Sequence, residues 1–336
     1  MMTQRERFFA LLYNEPVDGF VNQYGAFGDW DGFIRGTPID ALNAHPRGVT
    51  VTTQWGITYQ WNPEDPGAIP LTDPEHLVIK DIEEWQEYLH APDLATKDSD
   101  WDQVRETAAA MDTTQYLRSA LFYPGTFEFC HSVMTFEDSL SNLLIYPDEM
   151  HDIIQYISDW RHDAFEETFK HIPDIDALFA HDDWGSRNST FMRPETFEEF
   201  FLQPYKEIYA VPHEYGAVVA HHCDSYSATL MDYMIEMGMD YWEGCLPSNN
   251  IPELQKKLAD MNANFVLWGG LDSAVFDRDD STEEEIRKHV DDTIAANFEG
   301  GRWIPSVNDG LPVIIHQANY DIITDEINKQ EAVYFG

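Results

Sequence analysis

Short apolar runs alternate with long amphipathic segments along this chain, and that alternation limits the folds open to it. The β-like runs fall at residues 19–21, 49–53, 120–123, 177–180, 217–220, 239–242, 265–268 and 303–307. Segments with helical periodicity lie at 3–12, 150–171, 194–211, 227–237, 252–261 and 282–298. Strand followed by helix, repeated, builds a parallel sheet with crossover helices. About eight such units within 336 residues predict an α/β fold of the (β/α)8 TIM-barrel class. No low-complexity stretch or Gly/Ser linker interrupts the pattern, so one domain spanning 1–336 is expected. Residues 54–118, rich in Trp, Pro and Asp, depart from it and read as an irregular insertion or lid.

In such a barrel the C-terminal ends of the strands form the active face. Here those ends are unusually polar. They carry Gly125-Thr126-Phe127-Glu128, His181-Asp182-Asp183-Trp184, His221-His222-Cys223-Asp224, Glu243-Gly244-Cys245, Gly269-Gly270-Leu271-Asp272 and Asn308-Asp309-Gly310. Converging on one mouth, they make an acid/base or metal site. Imidazole and thiolate are ligands that zinc prefers, and His221 and Cys223, two apart, share one face of a strand. Cys245 is a further candidate ligand, although alone it reads equally as a small buried hydrophobe. His222 is out of phase with that pair and reads as a packed or surface histidine. Glu128, Asp182 and Asp183 are candidates for proton transfer or substrate orientation, and the two aspartates could also cap a helix. Cys130, within an apolar helical stretch, reads as core.

The acids number 61 against 20 basic residues, a net charge of −41 spread along the chain. A surface of that sign repels nucleic-acid phosphates and anionic membranes, so neither is an expected partner. There is no run of apolar residues long enough to span a bilayer. The first seven residues lack the apolar stretch of a secretory signal, and three cysteines make no disulfide framework, so a reducing cytoplasm is expected.

The order and spacing of several short motifs resemble the uroporphyrinogen decarboxylase superfamily, and within it the corrinoid-dependent methyltransferase branch. These are Arg5-Glu6-Arg7-Phe8 with Pro16-Val17-Asp18, Gly125-Thr126-Phe127-Glu128, Tyr146-Pro147-Asp148-Glu149 and Asp182-Asp183-Trp184-Gly185-Ser186. They continue with Pro194-Glu195, Phe200, Pro204-Tyr205, His221-His222-Cys223, Glu236-Met237-Gly238-Met239-Asp240, Gly269-Gly270-Leu271-Asp272 and Asn308-Asp309-Gly310-Leu311. The resemblance implies a (β/α)8 barrel. It also implies zinc held by His221 and Cys223, with Cys245 and Asp309 at the positions of further ligands.

The implied activity is transfer of a methyl group from a methoxylated, aromatic donor to the Co(I) corrinoid of a partner protein. This chain has no Asp-x-His-x-x-Gly cobalamin signature of its own, so the corrinoid is expected on a separate protein. Trp184, Tyr226 and Trp242 could stack on an aromatic donor, or belong to the core. A thiol acceptor of the coenzyme M type is the alternative. A non-catalytic corrinoid-protein partner ranks lower. So does the decarboxylase itself, because the segment after Asp18 has no arginine before Arg35 to receive a polyanion. Homo-oligomerisation is left open.

Overall fold

The computed structural model describes residues 1–29, 31–35, 37–39, 47–62, 67–308 and 316–336. Six strands form one parallel sheet in sequence order: β4 (Ser119–Phe122), β5 (Ala177–His181), β6 (Val218–His222), β7 (Tyr241–Cys245), β8 (Val266–Leu271) and β9 (Trp303–Val307). Four of them, β6 to β9, are buried at every residue, as expected of strands covered on both faces.

Helices fill the crossovers. They are α3 (Thr126–Val133), α4 (Phe136–Ile145) and α5 (Pro147–His171) after β4, α6 (Pro194–Phe197) and α7 (Gln203–Glu214) after β5, and α8 (Met231–Glu236) after β6. The series continues with α9 (Ile251–Met261) after β7, α10 (Ser273–Phe276) and α11 (Glu283–Asn297) after β8, and α12 (Gln317–Tyr334) after β9. Local chemistry sets their ends. Thr282 and Glu285 form a capping box on α11. In α5, Pro147 and two acids open the helix while Lys170 and His171 occupy the last turn, each sign matched to the helix dipole.

The sheet is TIM-barrel-like, with six strands in register and the gap between its edges occupied by the chain near the N-terminus. On one edge Gln23 N–H donates to Pro305 of β9 at 3.1 Å. On the other, Phe33 bridges Ser119 of β4 in parallel, with Ile34 N–H donating to the Ser119 carbonyl at 2.8 Å. Thus the run at 19–21 leads into an edge contact rather than a strand. The run at 49–53 is not a barrel strand either. Within it, β1 (Thr50–Thr52) pairs antiparallel with β2 (Thr58–Gln60), which pairs with β3 (Ile69–Pro70). Residues 54–118 therefore hold regular structure where none was expected, including α2 (Asp102–Ala109).

The barrel interior is aromatic. Helix α1 (Gln4–Leu12), opened by a Thr3–Glu6 capping box, sends Phe8 into it. Phe8 stacks on Tyr241 at 3.9 Å between ring centres, and Phe27 stacks on Trp268 at 5.4 Å. Strand alternation then carries the interior face upward from Phe179 to His181, Ala220 to His222, and Tyr241 to Glu243. Among the described residues no helix is long and apolar enough to cross a membrane.

Candidate metal centre at the barrel mouth

His181, His222 and Glu243 stand side by side because their strands are in register, His181 beside His222 and His222 beside Glu243. The two imidazoles stack with ring centres 4.3 Å apart and planes 12° from parallel. Asp183, two residues beyond His181, completes a group whose ligand atoms all lie within 4.8 Å of one another: His181, Asp183 and His222. Asp183 is held from behind by the Asp224 N–H at 2.8 Å and lies 3.7 Å from His222 Nε2.

Each imidazole is backed by a carboxylate. His181 Nδ1 meets Glu128 Oε2 at 2.8 Å, and His222 Nδ1 meets Glu243 Oε2 at 2.5 Å. Burial opposes charge on both members of the first pair, but each outweighs it for the other. Glu128 raises His181 to about 9, and His181 holds Glu128 down at about 2. Each thus favours the charged form of the other while no metal is bound, and a metal on His181 would take the place of one ring proton. Burial pushes Asp183 up to about 7, against the pull of His181 and His222. Two histidines, each with its other ring nitrogen on a carboxylate, and one aspartate match a three-ligand zinc site with a position left open. The residues present could therefore hold a zinc ion.

His221 lies on the opposite face of β6. Its Nδ1 bonds the Tyr209 hydroxyl on α7, its Nε2 faces the Asp182 carbonyl at 3.3 Å, and its ring stacks on Trp184 at 4.5 Å. Burial lowers it to about 3, so it is a neutral imidazole within the sheet–helix layer. Cys223 is fully buried, its Sγ 3.2 Å from Ser227 Oγ, and burial pushes its thiol well up. The expected phase of this strand is therefore reversed: His222 faces the cavity and His221 does not. Sequence shows that successive residues alternate but not which set faces in. The small Ala220 fits the crowded interior, and His222 follows it. Aligning the ends of the apolar runs would have set His181 beside His221, and only the strand register places it beside His222.

The other candidates fall as follows. Asp182 is buried and accepts N–H bonds from Phe127 and Glu128, both at 2.8 Å, together with the Tyr205 O–H. It thereby satisfies the N–H groups of the second and third residues of α3, while that of Thr126 goes to the Tyr205 hydroxyl, and it orients Glu128. Gly125 is required there, because a Cβ would lie 2.0 Å from Asp182 Cβ. Burial and Glu128 raise the Asp182 carboxyl to about 6 against these donors. Cys245 is fully buried, just past a register shift in β7, and burial raises its thiol. Asp309 lies outside the described residues. Trp184 and Trp242 are fully buried, Trp242 donating Nε1–H to the Cys223 carbonyl at 2.7 Å. Tyr226 is half-buried on the loop after β6. Cys130 is buried in α3, as its sequence context predicted.

No curated protein matches the chain by sequence. Among solved structures it is similar to a methyltransferase from Methanosarcina mazei, with TM-score 0.64 and 13% identity, covering 98% of this chain and 99% of that one. A D-psicose 3-epimerase solved in the presence of D-fructose aligns with TM-score 0.35 and 9% identity, over 72% of this chain and 86% of that one. The profile of the family described as uroporphyrinogen decarboxylase (URO-D) matches residues 52–330. With that match spanning most of its length, over the strands that build this site, the chain belongs to the uroporphyrinogen decarboxylase family.

Proposed function

We propose that this protein is a zinc-dependent methyltransferase that moves a methyl group from a methoxylated, aromatic compound to the corrinoid of a partner protein. The observation that carries the reading is the carboxylate-backed His181–Asp183–His222 group at the barrel mouth. The full-length likeness to a methyltransferase fold is in keeping with it.

Those three residues would hold the zinc, which when bound supplies a Lewis acid for the oxygen that carries the methyl. A donor set of two imidazoles and a carboxylate, with no thiolate among the three, favours an oxygen ligand over a thiolate, and so a methyl ether over a thiol. Glu128 sits beside His181, where its carboxylate can accept a hydrogen bond from the donor and orient it. Tyr226, on the loop beyond β6, is available to an aromatic ring. The corrinoid in this reading is a co-substrate brought by its own protein. Decarboxylation of a polyanionic tetrapyrrole fits less well. Glu128, Asp183 and Asp224 meet no lysine or arginine among the described residues, so a polycarboxylate would enter against like charge.

The test mixes the zinc-loaded protein with a methoxylated aromatic and a Co(I) corrinoid protein. Loss of Co(I) absorbance with release of the phenol is expected. Methylation of coenzyme M from a methyl-corrinoid, with no demethylation of the ether, would replace this reading with the thiol one.

A further inference from the structure

The two imidazoles of the mouth are held differently. His181 leans on Glu128, and both side chains remain partly open to solvent. His222 leans on Glu243, which is completely buried. A buried carboxylate is costly unless its oxygens are bonded. Glu243 has both oxygens engaged: Oε2 with His222 Nδ1 at 2.5 Å, and Oε1 with the Tyr24 O–H at 2.6 Å. Tyr24 is itself buried, its ring 4.9 Å from Trp268, in the N-terminal segment that spans the sheet edges.

The backbone is shaped for this contact. β7 shifts register between Glu243 and Cys245, and Gly244 between them takes φ +83°. A Cβ on Gly244 would stand 3.0 Å from Asp224 Cα and 3.1 Å from the Cys223 carbonyl carbon. Glycine lets the ends of β6 and β7 close together, which brings Glu243 against the His222 ring.

We propose that Glu243, fixed by Tyr24, is a positioning residue that selects the His222 tautomer with the proton on Nδ1 and presents Nε2 toward Asp183 and the metal. The inference rests on the zinc reading for its purpose, but the tautomer it assigns belongs to the metal-free protein. A carboxylate can only accept in this geometry, so the shared proton sits on Nδ1. Fixing the ring orientation and raising its basicity is what such partners do for histidine ligands, and their loss typically costs about 10–100-fold in metal affinity.

The experiment has two readouts on wild type, Glu243→Leu, Glu243→Gln and Tyr24→Phe. The first is the ¹⁵N shift pattern of His222 in metal-free protein at mildly alkaline pH, assigned with His222→Gln. The second is zinc affinity by competition with a chelator. Wild type should show the Nδ1–H form. Glu243→Leu should mix the tautomers and lose about 10–100-fold in zinc affinity. Glu243→Gln, whose amide oxygen can still accept, should keep the tautomer and recover part of the affinity, and Tyr24→Phe should lose less than Glu243→Leu. If Glu243→Leu proves unstable, Glu243→Gln and Tyr24→Phe carry the comparison. An Nε2–H form in wild type, or variants with unchanged tautomer and affinity, would overturn the inference while leaving the zinc reading standing. A wild type that binds no zinc but shows the Glu243-dependent Nδ1–H form would overturn the zinc reading and leave the positioning role standing.

Discussion

At the residue scale, adjacent histidines on one strand have different environments, and substitutions should separate them. His222→Ala should abolish stoichiometric zinc, and it too should lose stability, because the buried Glu243 carboxylate is deprived of that imidazole. His221→Ala should retain zinc but lose about 1–3 kcal/mol of stability, because the Tyr209 hydroxyl on α7 is left buried without its partner. Metal analysis and urea unfolding of the two variants check this, and the opposite pattern would return the metal to His221. Composition and strand ends made the gathering of acids and imidazoles legible in the sequence. The phase of β6 was not legible, since it depends on which neighbour packs inside. A fully apolar strand would have hidden it completely. Here the register that sets His222 beside His181 decided it, and that register is not written in the run boundaries.

At the element scale, the six apolar runs that became β4 to β9 were readable because buried parallel strands are continuous hydrophobic stretches. The two earlier runs resemble them in composition and do something else. Residues 50–52 find antiparallel partners close in sequence, and the chain near Gln23 and Phe33 bonds to the sheet edges through isolated contacts. Local pattern does not distinguish these outcomes, because pairing partner is a tertiary choice. Helix α3 depends on Asp182 for the N–H groups of its second and third residues, so Gly125→Ala should destabilise the protein by about 2 kcal/mol or more and weaken the Glu128–His181 contact. Unfolding midpoints test this. Near the end of α7, His213 Nε2 meets Asp240 Oδ2 at 2.9 Å, and that bond raises the histidine above its ordinary value. Its stabilisation is present below about pH 6.5 and fades as pH rises through the raised folded value. The pair is partly exposed, so the effect should stay below about 1 kcal/mol. Urea unfolding across that range should show the slope in wild type and lose it in His213→Gln.

At the scale of the whole molecule, 61 acids against 20 basic residues leave a net charge of −41 to be contained by one fold. Several ion pairs crosslink distant parts of the chain. Arg7 bonds Asp18 at 3.0 Å and Glu331 at 2.7 Å, tying α1 to α12, and Arg5 pairs with Asp176 before β5. The surplus carboxylates still repel one another, and salt screens that repulsion. The melting temperature should therefore rise from low salt toward molar salt, and a flat or falling dependence would show that the charge is already balanced locally. The same acidic field bears on function, since it favours neutral or cationic guests at the mouth over polyanions.

In the proposed site the metal is expected on His181, Asp183 and His222 rather than on His221 and Cys223. X-ray absorption at the zinc edge of the loaded wild-type protein tests it most directly. Only nitrogen and oxygen neighbours near about 2.0–2.2 Å are expected, with the scattering signature of two imidazoles. A sulfur neighbour near about 2.3 Å would contradict it.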